Sequence, residues 1–470
     1  MPSKYLLPLL GLLVCTGSAC TKDALNQKPN INLAVPSTIS DYQQILDGLD
    51  GGDDSYQAGF HSYRSLGNYL TDELSVSDNG YTTFLSGYPF VTDVITWNKD
   101  LFNTFNTQTP VQEWNSQYTT VLDANLALDG LASIPSTPSN QAQWNLAEGM
   151  ALFFRGQMFY NLAQFWAKPY NASTASSDPG IVLRLHSDVT TPSVRSTVQQ
   201  TYDQIISDLK GSVPLLPNSS SQNTQLSKTR PSLAAAYGML ARTYLAMGDS
   251  ASVLKYSDSA LALYSTLMDY NTVSGGFSAF NAETVYYTFD LSGTIGSFFG
   301  PWRADSAFVN TYDATDLRRT LFFVSNSFVG GYAFIGDYSG NYVFTGIAVD
   351  ELYLMRAEAN ARMGNVSAAL SDLNTLLVKR YQTGTFVPRT AVNASDALTQ
   401  VLTERDKELF YRGLRWTDLR RLNTDPRFAQ TQTRTLLGVT YTLPPGDSRY
   451  TLQIPTYVIS AANGTITQNP

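Results

Sequence analysis

Residues 233–261 read LAAAYGMLARTYLAMGDSASVLKYSDSAL, and the spacing of their apolar side chains decides the fold class. Leu233, Ala236, Tyr237, Leu240, Ala241, Tyr244 and Leu245 recur every three or four positions, which sets them on one face of a helix. Pro231 is suited to open that helix, and Gly248 to close it in a left-handed conformation. Ser250 can cap a second helix whose apolar positions are Val253, Leu254, Ala260 and Leu261. Met247-Gly248-Asp249 then becomes the turn of a helical hairpin.

The same plan returns downstream. Tyr353, Ala357, Met363-Gly364-Asn365 and Leu370 repeat Tyr237, Ala241, Met247-Gly248-Asp249 and Leu254, each displaced by the same interval. Small residues where two helices cross, a glycine at the turn and bulky residues one turn away are the requirements of tetratricopeptide-type repeats. Further members are expected at 111–131 with 141–167, and at 198–209. The chain is therefore predicted to be mainly α, with helical hairpins over about 111–167, 198–265 and 349–421. These faces build a core; nothing in their pattern calls for a ligand.

Two regions, about 55–109 and 271–348, do not follow the repeat. They are rich in Tyr, Phe, Trp, Gly, Ser and Asn, with short strand-like pieces at 284–289 and 342–346. Long irregular segments on a rigid scaffold are where binding function usually sits. An acidic loop, Asp50-Gly51-Gly52-Asp53-Asp54, follows a short helix expected through Leu49; glycines between aspartates make a solvated turn, and no metal site is assigned there.

The start of the chain carries an address. Lys4 precedes an apolar run, Tyr5 to Val14, too short for the roughly 20 residues of a membrane-spanning helix. Gly17-Ser18-Ala19-Cys20 ends it as a lipobox, so 1–19 is expected to be a signal peptide and Cys20 the acylated first residue. Of the two cysteines, Cys15 lies in the leader, which excludes a disulfide framework in the mature chain. Each buried methylene of an acyl chain contributes about 0.8 kcal/mol, and two chains anchor stably. Residues 20–36, broken by Pro29 and Pro36, read as a flexible tether to a single body, 37–470.

Bulk composition excludes some functions. The formal charge is −8, and −9 without Lys4, with no basic run, so nucleic acid is not an expected partner. Only 15% of residues are charged while 12% are aromatic, so Ser, Thr, Asn, Gln and Tyr must carry much of the surface. His61 and His186 stand far apart with no metal-ligand spacing, and neither a nucleophile elbow nor a complete phosphate-binding loop is present. No enzyme activity and no cofactor are expected. Arg405, Arg412, Arg415, Arg420 and Arg421 are interleaved with Glu404, Asp406, Glu408 and Asp418, the pattern of a structural ion network; Asp316 with Arg318 reads the same way.

Several segments together resemble the SusD/RagB family of lipoproteins. Cys20 followed by Asp23, Leu25, Lys28 and Pro29 is similar to its mature start. Ala147-Glu148 with Leu152, Arg155, Phe159, Tyr160, Leu162 and Pro169 resembles its long helix, and residues 351–359, ELYLMRAEA, resemble its most recognisable internal helix. The block Glu404-Arg405 to Glu408-Leu409, then residues 412–421, RGLRWTDLRR, resembles its C-terminal box; Leu414 stands where a histidine is common and Thr417 where an aromatic is common. Ile454-Pro455 and Gln468-Asn469-Pro470 fit its closing pattern.

The resemblance implies a SusD-like α-α superhelix. It also implies a surface lipoprotein of the outer membrane, facing the cell exterior in bacteria of the Bacteroidetes type. Such proteins capture nutrients, most often oligosaccharides, above a SusC-like TonB-dependent transporter. Sugar capture needs flat apolar faces for pyranose rings and amides, carboxylates or guanidinium groups for hydroxyls. Trp97 beside Asn98, Tyr81 beside Asn79, Trp302 beside Arg303, and Tyr338 near Asn341 are the candidate contacts, with Asp72 a further polar one. Trp97 lies where family members often carry a ligand-contacting aromatic, and Trp302 follows a Gly300-Pro301 turn. The alternative is a tetratricopeptide-type module that holds a protein or peptide at the outer membrane and has no glycan ligand.

Overall fold

In the computed structural model the described residues are 35–48, 60–61 (backbone alone), 66–108, 111–218, 228–290, 301–326, 330–339 and 343–470. Cys20, the leader, most of the tether and the Asp50–Asp54 loop lie outside them. Met1–Ser37 and Thr38–Pro470 separate as two units, and the second contains every helix and strand discussed here.

The helical scaffold follows the periodicity. Its helices are α1 (Ile39–Gly48), α2 (Gln112–Leu131), α3 (Gln141–Trp166), α4 (Val198–Ser212), α5 (Leu233–Met247), α6 (Ser250–Leu263), α7 (Val349–Arg362), α8 (Val366–Leu377), α9 (Ala394–Glu408) and α10 (Arg415–Leu422). Each helix from α2 to α8 packs on the next in the chain, and α9 packs on both α7 and α8. That nearest-neighbour stacking is the arrangement of a solenoid of helical hairpins. The direct packing of α6 on α7 shows residues 264–348 to be an excursion between consecutive scaffold helices.

The turn at Met247-Gly248-Asp249 forms as its sequence requires. Gly248 has φ 78°, and Asp249 N–H donates to Tyr244 O at 3.1 Å, closing α5 with the left-handed motif that glycine adopts without strain. One detail differs: Asp249, not Ser250, caps α6, its carboxylate accepting from Ser252 N at 3.0 Å. Aspartate reaches the third helical N–H as well as serine does and adds a negative charge at the positive end of the helix. Gly364, at φ 85°, repeats the turn between α7 and α8. Interior faces then close over a core in which Phe154, Met158, Leu240, Leu352 and Met355 are fully buried.

The two irregular regions are stitched to each other. Leu74–Val76 (β1), Trp302–Ala304 (β2), Phe323–Ser325 (β3) and Tyr332–Phe334 (β4) form one sheet in the order β1-β2-β4-β3. The expected strands near 284–289 and 342–346 also form: Thr288–Asp290 pairs antiparallel with Val343–Phe344. A hairpin near the C-terminus joins Gln432–Leu436 (β5) to Val439–Leu443 (β6). Among the described residues no helix is long and apolar enough to cross a membrane.

Candidate functional site

The β1–β2 register is what assembles the site region. Ser75 lies opposite Arg303 and Val76 opposite Trp302 in antiparallel pairing. Directly after β1, Ser77 caps a short turn by accepting from Gly80 N at 3.1 Å. Gly80 abuts Pro301 so closely that a Cβ there would stand 3.4 Å from both its Cβ and its carbonyl oxygen. The turn that carries Tyr81 is thereby set against the segment that leads into Arg303, one from each irregular region, and both residues are half-buried. The Tyr81 hydroxyl bonds the Thr92 hydroxyl at 2.9 Å, which fixes the ring. The Arg303 stem crosses Gly331, where a Cβ would stand 3.0 Å from Arg303 Cδ. Asn79, Thr82, Thr83 and Ser86 are exposed along the same segment, as is Tyr88.

Three of the aromatics expected to stack on sugar are instead core residues. Trp97 is 3% exposed, donates its indole N–H to Leu70 O at 2.9 Å, and has the Arg434 guanidinium 4.6 Å from its ring centroid. Trp302 is 4% exposed and packs on Tyr69 with centroids 4.9 Å apart. Tyr338 is fully buried; its hydroxyl lies 2.7 Å from that of Tyr270 and donates to Glu283 at 2.9 Å, with Arg412 3.9 Å over its ring. Large aromatic surfaces gain most from leaving water, and here neighbouring segments cover both faces. Two of the polar candidates at the surface are engaged as well. Asp72 holds Arg415 through two bonds of 2.8 and 2.7 Å, and Asn98 donates to Asp93 at 2.7 Å.

The expected ion network is present and dense. Arg405 pairs with Asp418 at 2.8 Å, Arg412 with Asp350 at 3.0 Å, and Arg421 with both Asp418 and Glu358. Arg318 meets Asp316, Glu404 and Glu408, while Arg380 bridges Glu408 and Glu283. Glu283, Asp350 and Glu408 approach one another closely enough to suggest a metal, all within 4.8 Å. Guanidinium groups already neutralise that cluster from three sides, so a cation would have to displace them.

Residues 23–245 match the profile of a family described as starch-binding associating with outer membrane, and residues 347–470 match that of the SusD family. The chain belongs to the SusD/RagB family. Solved structures of this fold agree over the whole body. A SusD superfamily protein from Bacteroides thetaiotaomicron is 21% identical, covers 92% of this chain and 100% of its own, and superposes with TM-score 0.71. A putative sugar binding protein from Bacteroides vulgatus is 20% identical over 93% of this chain and 99% of its own, with TM-score 0.70. A surface glycan-binding protein A from Bacteroides uniformis is 15% identical over 92% and 99%, with TM-score 0.67. No curated protein matches the chain significantly.

Within this SusD-family body a concave region of about 300 Å³ lies between α2 and the loop after residue 182, lined by Trp114, Tyr118, Arg184 and His186 among others. Its polar groups are spent on holding that loop. Tyr118 donates to Val182 O at 3.0 Å, Asn125 to Arg184 O at 2.9 Å, and Arg184 to Ser193 at 3.3 Å. His186 Nδ1 and the Ser187 hydroxyl both bond Asp129, at 3.0 and 2.7 Å. Serine there donates to the aspartate and not to the imidazole, so the trio lacks the relay of a nucleophilic triad. The sequence reading missed the behaviour of Arg420, grouped above with paired cations. It meets backbone carbonyls of Ala163, Gln164 and Ala167 and no carboxylate among the described residues. Only spatial proximity separates it from Arg421, so no local signal distinguishes the two.

Proposed function

We propose that this SusD-family chain is a non-catalytic, lipid-anchored protein of the outer membrane that captures oligosaccharide at the cell surface and passes it to a SusC-like TonB-dependent transporter. Residues 1–19 serve as leader, Cys20 carries the lipid, 20–36 is the tether and 37–470 the binding body. The family description and the sugar- and glycan-binding names of two solved relatives support the ligand class.

The observation that carries the reading is the Gly80–Pro301 contact, because it sets the turn holding half-buried Tyr81, with its run of exposed Asn, Thr and Ser, against the strand holding half-buried Arg303. An aromatic face and a fan of fixed donors is the chemistry that holds a pyranose ring. Tyr81 and Arg303 are the principal contacts in this reading, with Asn98 and Asp72 as secondary polar candidates. Titration calorimetry of the mature chain against neutral oligosaccharides, beginning with starch fragments, tests it. Tyr81→Ala and Arg303→Ala are each expected to weaken binding about tenfold or more. If no glycan binds and a peptide panel does, the transporter-delivery reading gives way to a protein-interaction module.

A further inference from the structure

The turn that carries Tyr81 is tied to the far end of the chain. From Asp78 to Leu85 it makes one short helical turn and then a wider one, in which Ser86 N–H donates to Tyr81 O at 2.9 Å, the longer hydrogen-bond spacing of a π turn. Such turns are rare, and so short a helix does not persist in water on its own. Its hydroxyls support it from within: Thr82 donates to Asp78 O at 2.8 Å and Ser86 to Thr82 O at 3.1 Å. Those bonds fix the shape of the turn but not its place. Place comes from three outside contacts. Gly80 lies against Pro301, the Tyr81 hydroxyl meets Thr92, and Asp78 Oδ1 accepts from Leu437 N–H at 2.7 Å across 359 positions of sequence.

The last of these comes from the tip of the β5–β6 hairpin. Leu437 at φ 49° and Gly438 at φ 78° form its two-residue connection, the left-handed pair that matches the twist of the flanking strands. Gly438 adopts that conformation freely, whereas leucine does so against its preference. The Leu437 side chain is 55% exposed, so burial does not offset the strain. What the connection does provide is an N–H outside the ladder, turned to the Asp78 carboxylate. The base of the hairpin is anchored as well. Arg434 donates to the carbonyls of Tyr69 and Thr71, just ahead of β1, and to Leu74 O in β1 itself at 3.3 Å. From there the register Arg434 to Tyr441, Thr435 to Thr440 and Leu436 to Val439 runs unbroken to the tip. One rigid ladder thus grips the chain where it enters β1 and again where it leaves β1 for the turn.

We infer that the β5–β6 hairpin is the strut that sets the pose of the turn carrying Tyr81, and that Asp78 is the positioning residue joining the two. A backbone N–H bonded to a carboxylate is stronger than a neutral pair. Asp78 is exposed, so its replacement removes the tie without opening the core. The consequence for binding rests on the reading that this turn receives oligosaccharide: an aromatic already ordered in the free protein costs less to engage.

The test compares Asp78→Ala with Asp78→Asn in the full mature chain. Amide hydrogen exchange followed by mass spectrometry reports the pose with no sugar present. Asp78→Ala is expected to speed exchange at the Leu437 amide and across residues 81–86 by about tenfold or more and to leave the rest of the chain unchanged. Asp78→Asn keeps an oxygen acceptor and is expected to stay within about threefold of the wild type. Titration calorimetry with maltoheptaose reports the consequence, a loss of about fivefold or more in Asp78→Ala that Asp78→Asn largely restores. Unchanged exchange in Asp78→Ala overturns the inference. So does exchange quickened along the whole chain, the mark of a general loss of stability, and so does an Asp78→Asn variant as fast as the alanine one. Faster exchange confined to the turn, with maltoheptaose bound equally by all three proteins or by none, upholds the strut and overturns the Tyr81 reading instead.

Discussion

The guanidinium of Arg434 lies 4.6 Å from the centroid of the Trp97 ring, and the same guanidinium donates to the carbonyls of Tyr69 and Thr71 at 2.7 and 2.5 Å. One cation therefore covers the indole face and clamps the chain just ahead of β1. Trp97 itself sits at φ 49°, a left-handed conformation uncommon for a bulky residue and sustained here by the packing around it.

Trp97→Ala is accordingly expected to cost stability first. Loss of a fully buried indole removes about 3–5 kcal/mol, before the cation–π contact is counted. Urea unfolding should show a clearly lower midpoint for the variant. A variant that keeps its midpoint and loses only glycan affinity would restore Trp97 to the binding surface.

The hairpin turns offer a cleaner measurement. Gly248 and Gly364 have φ of 78° and 85°, and no heavy atom lies within 4 Å of where a Cβ would stand on either. Alanine there meets open space, so its cost is purely conformational. Gly248→Ala and Gly364→Ala should each lower stability by about 1–2 kcal/mol, with the two effects additive. A much larger loss at either site would mean that the turn also makes tertiary contacts.

These two cases mark what the chain reveals before it folds. The α5–α6 turn is local: periodicity and Gly248 lie within a few residues and each acts on its own neighbourhood, and only the choice of Asp249 over the adjacent Ser250 as the cap differed from the sequence expectation. Trp97 is the opposite, because its burial is completed by Arg434 from the far end of the chain. Tyr338 is hidden in the same way by Arg412 and Tyr270. Composition marks the irregular regions as aromatic-rich, yet an aromatic beside an Asn or Arg looks alike whether it faces solvent or core. Pairing of Val76 with Trp302 decides which, and strands of three residues carry too little pattern to announce it. Arg420 and Arg421 are adjacent on α10, and only the positions of Glu358 and Asp418 make one an ion-pair partner and the other not.

Anchoring yields a prediction that leaves the body untouched. Cys20 precedes the compact unit Thr38–Pro470, so Cys20→Ala should not change the unfolding midpoint or glycan affinity of that unit. With no acyl chain the variant should appear in the soluble fraction after the leader is removed. Continued membrane association of the processed variant would show that something other than lipid holds it.

Glu283 supplies the pH dependence. Burial pushes its carboxyl up to about 7 from an ordinary 4.5; Arg380 opposes the rise, while Asp350 and Glu408 add to it. Between those two values the folded protein retains a proton that the unfolded chain has released, so stability falls as pH rises through the window. The shift corresponds to a loss on the order of 3 kcal/mol. Glu358 works in the other direction: burial raises it, but Arg421 and Arg362 outweigh burial and hold it near 2. Its contribution is present above its ordinary value and is lost only as pH falls toward 2. The two together favour mildly acidic conditions. Glu283→Gln keeps one oxygen acceptor, for Arg380 and Met268 N, turns an amide N–H toward the Tyr338 hydroxyl oxygen, and cannot ionise. From about pH 5 to about pH 8 the wild-type melting temperature should therefore drop more steeply than that of Glu283→Gln, with the two curves closest at the acid end. Parallel curves would mean that Glu283 is already ionised throughout, held so by Arg380.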